Sequence, residues 1–258
     1  MAKGETYEQF VAKFKTIKTT DDCYTPPDVY KVVADYVEQR YGLDKSNFIR
    51  PFFPGGDYEN YNYFEQDIVV DNPPFSIFTK IIDFYLEKNI KFFLFAPHLT
   101  IFSGKRRRKF TAVITGIGLT YENGAKISTN FATNLENISF RSAPTLYKKL
   151  KEVSSKKTTK DKSTFPKYSY TKALMRSCDL KKLSQYGIDF TVDYKESIFV
   201  EELDQQKEYK KSIYGGGFLI SEEKQKEYYV ASNVLSKNEE KYVYNLSKRE
   251  QKLIDNLG

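Results

Sequence analysis

Asn72, Pro73, Pro74 and Phe75 form a tetrad whose residue types and order are suited to chemistry. They follow an apolar segment, residues 67–71, that the hydrophobic pattern predicts as a buried strand. Two consecutive prolines hold the backbone extended and remove two N–H donors, which leaves carbonyl oxygens free to accept. The Asn72 side chain adds an amide oxygen, and Phe75 presents a flat ring. This set suits a planar ligand that carries an amino group.

Two further loops follow predicted strands in the same region. Pro54-Gly55-Gly56 ends a short strand candidate at residues 47–53, and Pro97-His98 ends the apolar segment 91–96. Ligands bind at the carboxyl ends of strands in open parallel sheets, so the three loops are expected to share one site. The paired glycines would let a ligand approach the backbone closely. His98 is expected to be a structural loop residue near this site rather than a catalyst.

The order of these motifs resembles that of a known enzyme family. Asn-Pro-Pro-Phe after an apolar strand is similar to the signature of S-adenosylmethionine-dependent amino-methyltransferases. Residues 67–76 and 92–97 most resemble the EcoRI-type DNA adenine-N6 methyltransferases, and residues 22–27 and 49–56 resemble the cofactor motifs of that family. The S-adenosyl-L-methionine site implied by this resemblance consists of Tyr24, Thr25, Pro26, Pro54, Gly55, Gly56, Asp57 and Asp71.

The same resemblance implies a mechanism in which Asn72, Pro73, Pro74 and Phe75 are the catalytic residues. The target adenine would be flipped out of the duplex and stacked on Phe75. Hydrogen bonds from its amino group to the Asn72 amide oxygen and the Pro73 carbonyl would favour a pyramidal, more nucleophilic nitrogen as the methyl group arrives. Positioning and electrostatic preorganisation would then suffice, without a general base of shifted pKa.

The stretch between Gly56 and Asn72 departs from the family pattern, because it contains only 15 residues. A complete cofactor domain needs a helix and a strand with an acidic residue for the ribose in this interval. Either the cofactor half is shortened, with Asp57 or Glu59 binding the ribose, or the cofactor site is degenerate. The second alternative predicts a non-catalytic nucleic-acid-binding protein that blocks or regulates a DNA-acting system. Enzymes that methylate RNA bases or protein glutamine carry the same tetrad. The excess of basic residues at 141–182 disfavours a protein substrate but does not separate DNA from RNA.

Hydrophobic periodicity predicts the elements that would position these loops. Helices are expected at residues 6–15, 26–41, 75–88, 144–152 and 247–257, strands at 47–53, 67–71 and 91–96, and a hairpin at 112–119 and 125–132. Strand, helix and strand in this spacing predict a βαβ unit. The predicted fold class is α/β: a Rossmann-like methyltransferase fold with a mostly parallel sheet. A catalytic core is expected at residues 1–136 and a basic target-recognition region at residues 137–258.

Charge is distributed unevenly along the chain, which carries 41 Lys and Arg against 34 Asp and Glu. Residues 1–136 have 17 of each sign, residues 141–182 have 13 basic and 3 acidic, and residues 183–258 have 11 basic and 14 acidic. A local basic block beside a neutral body favours a polyanion partner over a merely solvated lysine-rich surface. With the resemblance, it predicts double-stranded DNA as the partner. The predicted DNA contacts are Lys105, Arg106, Arg107, Arg108, Lys148, Lys149, Lys156 and Lys157.

Composition argues against several other classes of protein. Cys23 and Cys178 are the two cysteines and His98 is the single histidine, so neither a disulfide framework nor a metal site of nitrogen and sulfur ligands is expected. No stretch approaches the roughly 20 apolar residues of a membrane span, and the N-terminus has no apolar signal core. These features predict a cytoplasmic protein without a membrane or metal partner. They predict no oligomeric state.

Overall fold

The computed structural model describes residues 25–52, 57–154, 169–208, 211–233 and 243–257. The helices in these ranges are α1 Pro27–Tyr41, α2 Phe78–Glu87, α3 Ile101–Lys105, α4 Pro144–Ser154, α5 Ser177–Gln185, α6 Asp204–Glu208, α7 Glu222–Asn233 and α8 Lys248–Asp255. The strands are β1 Phe48–Ile49, β2 Ile68–Asp71, β3 Lys91–Pro97, β4 Thr111–Thr120, β5 Lys126–Thr133, β6 Phe140–Ser142, β7 Ser169–Tyr170, β8 Leu174–Met175, β9 Thr191–Val192, β10 Ser197–Val200, β11 Gly217–Ile220 and β12 Val243–Tyr244. Short 3-10 helices occupy Lys45–Asn47, Phe75–Ile77 and Tyr194–Glu196.

Some predictions fall on residues outside these ranges. They are the helix at 6–15, the cofactor residues Tyr24, Pro54, Gly55 and Gly56, and the basic residues Lys156 and Lys157.

Seven strands form one mixed sheet in the order β1-β2-β3-β5-β4-β6-β9. β1, β2 and β3 are parallel neighbours, β4 and β6 are parallel to each other, and β5 and β9 run antiparallel to the strands they pair with. Five of the seven strands therefore point the same way. Helix α2 connects the parallel neighbours β2 and β3, which confirms the predicted βαβ unit. This α/β architecture is compatible with a Rossmann-like fold.

Helices cover the sheet on both faces. Alternate side chains of a strand point to opposite sides, so each face has its own apolar core. On one face, strand residues pack against α2 and α5; this core includes Val69, Phe92, Leu94, Ile81, Tyr85, Leu180 and Leu183. On the other face, strand residues pack against α1 and α4; this core includes Val70, Phe93, Phe95, Val33, Val37, Leu146 and Leu150. Each such side chain contributes about 1.5–3 kcal/mol when fully buried, so these two layers set the position of the strand ends.

Helix α1 packs on the second of these faces and runs back toward the start of β1. Pro27 occupies its first turn, where the missing N–H costs nothing. Gly42 ends it in the left-handed region at φ 64°, and its N–H donates to the carbonyl of Glu38. The helix predicted for residues 26–41 is therefore confirmed, with its first turn at the carboxyl edge of the sheet.

Strands β4 and β5 form the predicted hairpin, which extends past the end of β3. Their register shifts between Val113 and Ile117, and Gly116 within this bulge has a φ of 55°. A positive φ favours glycine because a Cβ would be strained there. The bulge redirects the backbone at Gly116 toward the side chain of Asn130 on the partner strand.

The predicted boundary between residues 136 and 137 falls inside this sheet. β6 and β9 pair with it, and Phe140 and Leu183 belong to the same core as Phe92. Residues beyond 136 therefore complete the α/β core instead of forming a separate region. A smaller sheet, β10-β11-β8, has its own apolar cluster that includes Leu219 and Ile254. The short strands β6 and β9 carry too few residues to be recognised from hydrophobic alternation.

Candidate functional site at the carboxyl edge of the sheet

The carboxyl ends of β1, β2 and β3 lie side by side, because these strands are parallel neighbours. β1 ends at Ile49, β2 at Asp71 and β3 at Pro97. Neighbouring strands are about 4.8 Å apart, so residues 50–52, the tetrad at 72–75 and His98 share one edge. This edge is the candidate site.

Asp71 joins the loops that follow β1 and β2. Its carboxylate accepts hydrogen bonds from the backbone N–H of Phe52 at 2.8 Å, from that of Asn72 at 2.9 Å and from Nε of Arg50 at 3.2 Å. The residue is 1% exposed. Burial raises the pKa of the carboxyl, while Arg50 and the two backbone donors oppose that rise. Asp71 was predicted to bind the cofactor, but protein donors already engage both of its oxygens, so it acts in positioning the two loops.

Arg50 connects this junction to helix α1. Its guanidinium carbon lies 4.0 Å from the centroid of the Tyr30 ring, a cation–π contact. Burial raises the pKa of the Tyr30 hydroxyl, so this ring stays neutral. The contact fixes the first turn of α1 beside the end of β1.

Thr25 and Pro26, predicted to cover the cofactor, lie directly before α1. The carbonyl of Pro26 accepts from the N–H of Tyr30 at 2.9 Å. Thr25 is buried, and its Oγ1 has no hydrogen-bond partner among the residues that the structure describes. A buried hydroxyl without a partner costs about 1–3 kcal/mol. An orphaned hydroxyl at this point fits a bound polar ligand.

The tetrad leaves β2 in an extended conformation. Pro73 is buried, and Pro74, at φ −57° and ψ 121°, precedes the 3-10 helix Phe75–Ile77. Oδ1 of Asn72 is buried although the residue is half-exposed overall. Phe75 is half-buried and packs against the core on the α1 side. Asn72 and Phe75 therefore lie at the carboxyl edge, where the backbone passes from strand β2 into the 3-10 helix.

The predicted ribose acids already have partners. Asp57 is exposed and accepts from the backbone of Glu59 at 3.0 Å and the side chain of Asn60 at 2.8 Å, and these hydrogen bonds lower the pKa of its carboxyl. Glu59 pairs with Lys80 at 2.6 Å. Residues 57–67 form turns with no helix or strand, and β1 is the edge strand of the described sheet. The described residues therefore contain no helix or strand between β1 and β2 that could correspond to the missing part of a cofactor domain.

His98 is buried immediately after β3 and is 5% exposed. Its Nδ1 lies 3.0 Å from Nδ2 of Asn130 on β5. The sequence predicts His98 as a structural loop residue, and Asn130 is not among the predicted site residues. The signal that could have found Asn130 is an amide within the otherwise apolar or hydroxylic strand 127–133.

Lys105 does not lie on the surface, which corrects the prediction that it contacts phosphate. It is 4% exposed, and its Nζ donates to the carbonyl of Phe110 and to the Tyr194 hydroxyl. Burial lowers the pKa of this ammonium to about 7. Ile101 and Phe102 are buried one helical turn before Lys105, so Lys105 lies on the buried side of α3. In the sequence, the run of basic residues at 105–109 hides this pattern.

The other predicted basic residues are distributed over separate surfaces. Arg106 pairs with Glu201 at 2.5 Å and Arg108 with Asp83 at 2.6 Å, whereas Arg107 is exposed. Lys148 is exposed on α4.

Lys149, also on α4, lies at a distance from the candidate site. It donates to Gln39 of α1 at 2.9 Å. At 1.5 Å per residue, Gln39 lies roughly 13 Å along α1 from Tyr30, so Lys149 is not beside the tetrad. Lys149 and Gln39, together with Arg40 and Arg141, line a cleft of about 400 Å³.

No protein-family model matches this chain, and no curated protein or solved structure gives a significant match. In the described residues, no group of three or more His, Cys, Asp or Glu side chains could hold a metal ion. None of the described helices combines the length and the apolar character needed to cross a bilayer.

Proposed function

We propose that this chain is an S-adenosylmethionine-dependent DNA methyltransferase that acts on N6 of a flipped-out adenine. The observation that carries the proposal is the tetrad at residues 72–75, which leaves the end of the buried parallel strand β2 at the edge where such sheets bind ligands. The buried carboxylate of Asp71 holds the start of this tetrad against the loop after β1. Preorganisation of this kind is what a reaction without a general base requires.

The acceptors of the tetrad match the hydrogen bonds of an exocyclic amine. In the proposed reaction, the amide oxygen of Asn72 and the carbonyl of Pro73 each accept one N–H of the target amine. These two bonds draw the nitrogen lone pair out of conjugation with the ring. Phe75 stacks on the base, a contact worth about 1–3 kcal/mol.

The cofactor would supply an electrophilic methyl group on a sulfonium centre, which becomes a neutral thioether as its S–C bond breaks. The proton that the methylated amine loses would pass to water. Thr25 fits cofactor binding, because the buried Oγ1 without a partner is available to a polar group of the ligand. Asp71 does not fit as a direct ligand, since its oxygens are engaged by Phe52, Asn72 and Arg50. In this proposal Asp71 keeps the two loops at the spacing that the ligand needs.

One observation favours a second candidate function, a nucleic-acid-binding protein on a methyltransferase-like scaffold without catalysis. The edge strand β1 has only two residues, and the described sheet has no further strand beyond it. Both functions use the same polyanion partner, so DNA binding does not separate them. Cofactor binding does.

Calorimetric titration with S-adenosylmethionine therefore tests the proposal. Micromolar binding is expected for the wild-type protein, with loss in Gly56→Trp and weakening by roughly tenfold in Thr25→Val, which removes only the orphaned hydroxyl. Thr171→Val is a control for the same chemical change, because the Thr171 hydroxyl oxygen already accepts from the N–H of Ala173 at 3.4 Å. Absence of binding in the wild-type protein, with and without a DNA duplex, would overturn the proposal in favour of the scaffold alone.

A further inference from the structure

A second polar cluster at the carboxyl edge consists of His98, Asn130 and Lys181, and the proposed methyl transfer uses none of them. The Asn130 amide oxygen accepts from the backbone N–H of Gly116 at 2.7 Å and of Thr115 at 3.1 Å. Two donors on this oxygen fix the orientation of the amide. Its nitrogen therefore faces Nδ1 of His98 at 3.0 Å as a donor.

This contact sets the tautomer of His98. Because Nδ1 accepts from Asn130, the imidazole proton must lie on Nε2. Burial and, to a lesser degree, the charge of Lys181 together lower the pKa of His98 to about 4. The ring is therefore neutral near pH 7, and Nε2–H is a fixed donor with no partner in the described part of the chain.

Lys181 of α5 approaches the same ring because residue 116 is a glycine. A Cβ built on Gly116 would lie 2.5 Å from Cδ of Lys181 and 3.0 Å from Cε1 of His98. Gly116 also has a φ of 55°, a backbone conformation that residues with a side chain rarely adopt. A glycine at the bulge is thus what lets the lysine stem and the imidazole converge.

Lys181 carries a charge that the described protein does not compensate. It is half-buried, and no carboxylate in the described residues pairs with it. Burial lowers the pKa of its ammonium, and the Cys178 thiol is the one group that opposes this effect. The nearby Asp179 is engaged by Arg176 at 2.9 Å. A partly desolvated cation without a counter-charge is unfavourable unless an anion joins it.

We propose that Nε2–H of His98 and the ammonium of Lys181 bind a phosphate group at the carboxyl edge of the sheet. A phosphate offers separate oxygens to two donors on different elements, and it supplies the charge that Lys181 lacks. The phosphate comes from a nucleic-acid backbone or from a small phosphate compound. Only the first source rests on the proposed function; the site itself does not.

The single histidine of the chain makes the test direct, because every imidazole signal belongs to His98. In ¹⁵N-histidine NMR, the free protein is expected to show protonated Nε2 and unprotonated Nδ1. Titration with inorganic phosphate, or with a short DNA duplex, is expected to shift the Nε2 signal to saturation. A response to phosphate alone identifies a small-molecule site, and a response to the duplex alone identifies a backbone site.

Lys181→Met is expected to weaken this response at least tenfold, because the stem remains and the charge is lost. Lys182→Met, the exposed neighbour on the same helix, is the matched control and should respond as the wild type does. Lys181→Gln provides a second variant if Lys181→Met does not fold. The proposal is overturned by protonated Nδ1, by equal shifts with acetate, or by an unchanged response in both Lys181 variants. If the protein binds phosphate but not S-adenosylmethionine, the methyltransferase proposal is wrong and the phosphate site stands.

Discussion

The Asp71 carboxylate accepts the backbone N–H of Phe52 at 2.8 Å, and this hydrogen bond joins the ends of two neighbouring parallel strands. The same carboxylate holds the first residue of the Asn-Pro-Pro-Phe tetrad through the N–H of Asn72. One buried side chain thus sets the geometry of both loops at the candidate site. Its three donors offset part of the cost of burying this carboxylate.

Replacing Asp71 with alanine is expected to destabilise the fold by about 3–5 kcal/mol, because it removes the buried acceptor that the N–H groups of Phe52 and Asn72 and the guanidinium of Arg50 share. Equilibrium urea unfolding measures this change. Asp255→Ala, at the exposed end of α8, is the control and should stay within about 0.5 kcal/mol of wild type. An equally small effect for Asp71 would contradict its positioning role.

Asn72→Ala is expected to abolish methyl transfer and to leave DNA affinity nearly unchanged, since the amide oxygen acts on the target amine rather than on the DNA backbone. Transfer of a labelled methyl group to DNA and a fluorescence binding assay measure the two quantities. Asn137→Ala removes an exposed amide outside the site and should keep both. Parallel loss of activity and affinity would refute the role assigned to Asn72.

Gly116→Ala is expected to destabilise the protein by about 2–4 kcal/mol. The new Cβ meets Lys181 and His98, and a φ of 55° strains any residue with a side chain. Gly118→Ala lies two residues along the same strand, where a Cβ meets nothing within 4 Å, so its effect should be near zero. Thermal or urea unfolding of the pair checks the difference.

His98 is expected to make stability depend on pH. Its pKa is lowered from 6.5 to about 4, so between these values the unfolded chain binds a proton that the folded chain does not. Its contribution is therefore fully present above pH 6.5 and is lost as the pH falls toward 4, by up to about 3 kcal/mol. Unfolding measured at pH 4.5 and 7.5 should show a smaller difference in His98→Asn than in wild type. Equal differences would mean that His98 titrates normally in the folded state.

Charge reversal at Lys148 tests whether α4 contacts DNA. If Lys148 neutralises one phosphate, Lys148→Glu should reduce the slope of log K against log salt concentration by about 0.9. Lys226→Glu, on the exposed face of α7, makes the same charge change on another surface and should leave the slope unaltered. If the slope is unchanged in both variants, the lysines of α4 are solvated surface residues and do not contact DNA.

Local patterns of residue types in the sequence were sufficient to predict the central elements of the fold. The apolar runs that became β2 and β3, the helical stripe of α1 and the Tyr-Glu-Asn-Gly turn between β4 and β5 each carry their signal within a few residues. The position of the tetrad followed from the same signals, because it directly succeeds a strand. Short-range sterics and side-chain alternation decide these features.

Only the tertiary structure decided which polar groups have hydrogen-bond or ion-pair partners within the protein. Lys105 looked like part of a basic surface, yet packing places it under Tyr194, 89 residues away in sequence. Arg141 belongs to the most basic stretch, but it is buried in an ion pair with Glu136 at 2.7 Å. His98 acquires its tautomer from Asn130, whose own orientation depends on the bulge at Gly116. These outcomes depend on burial and on partners from distant strands, and no local pattern of residue types encodes them.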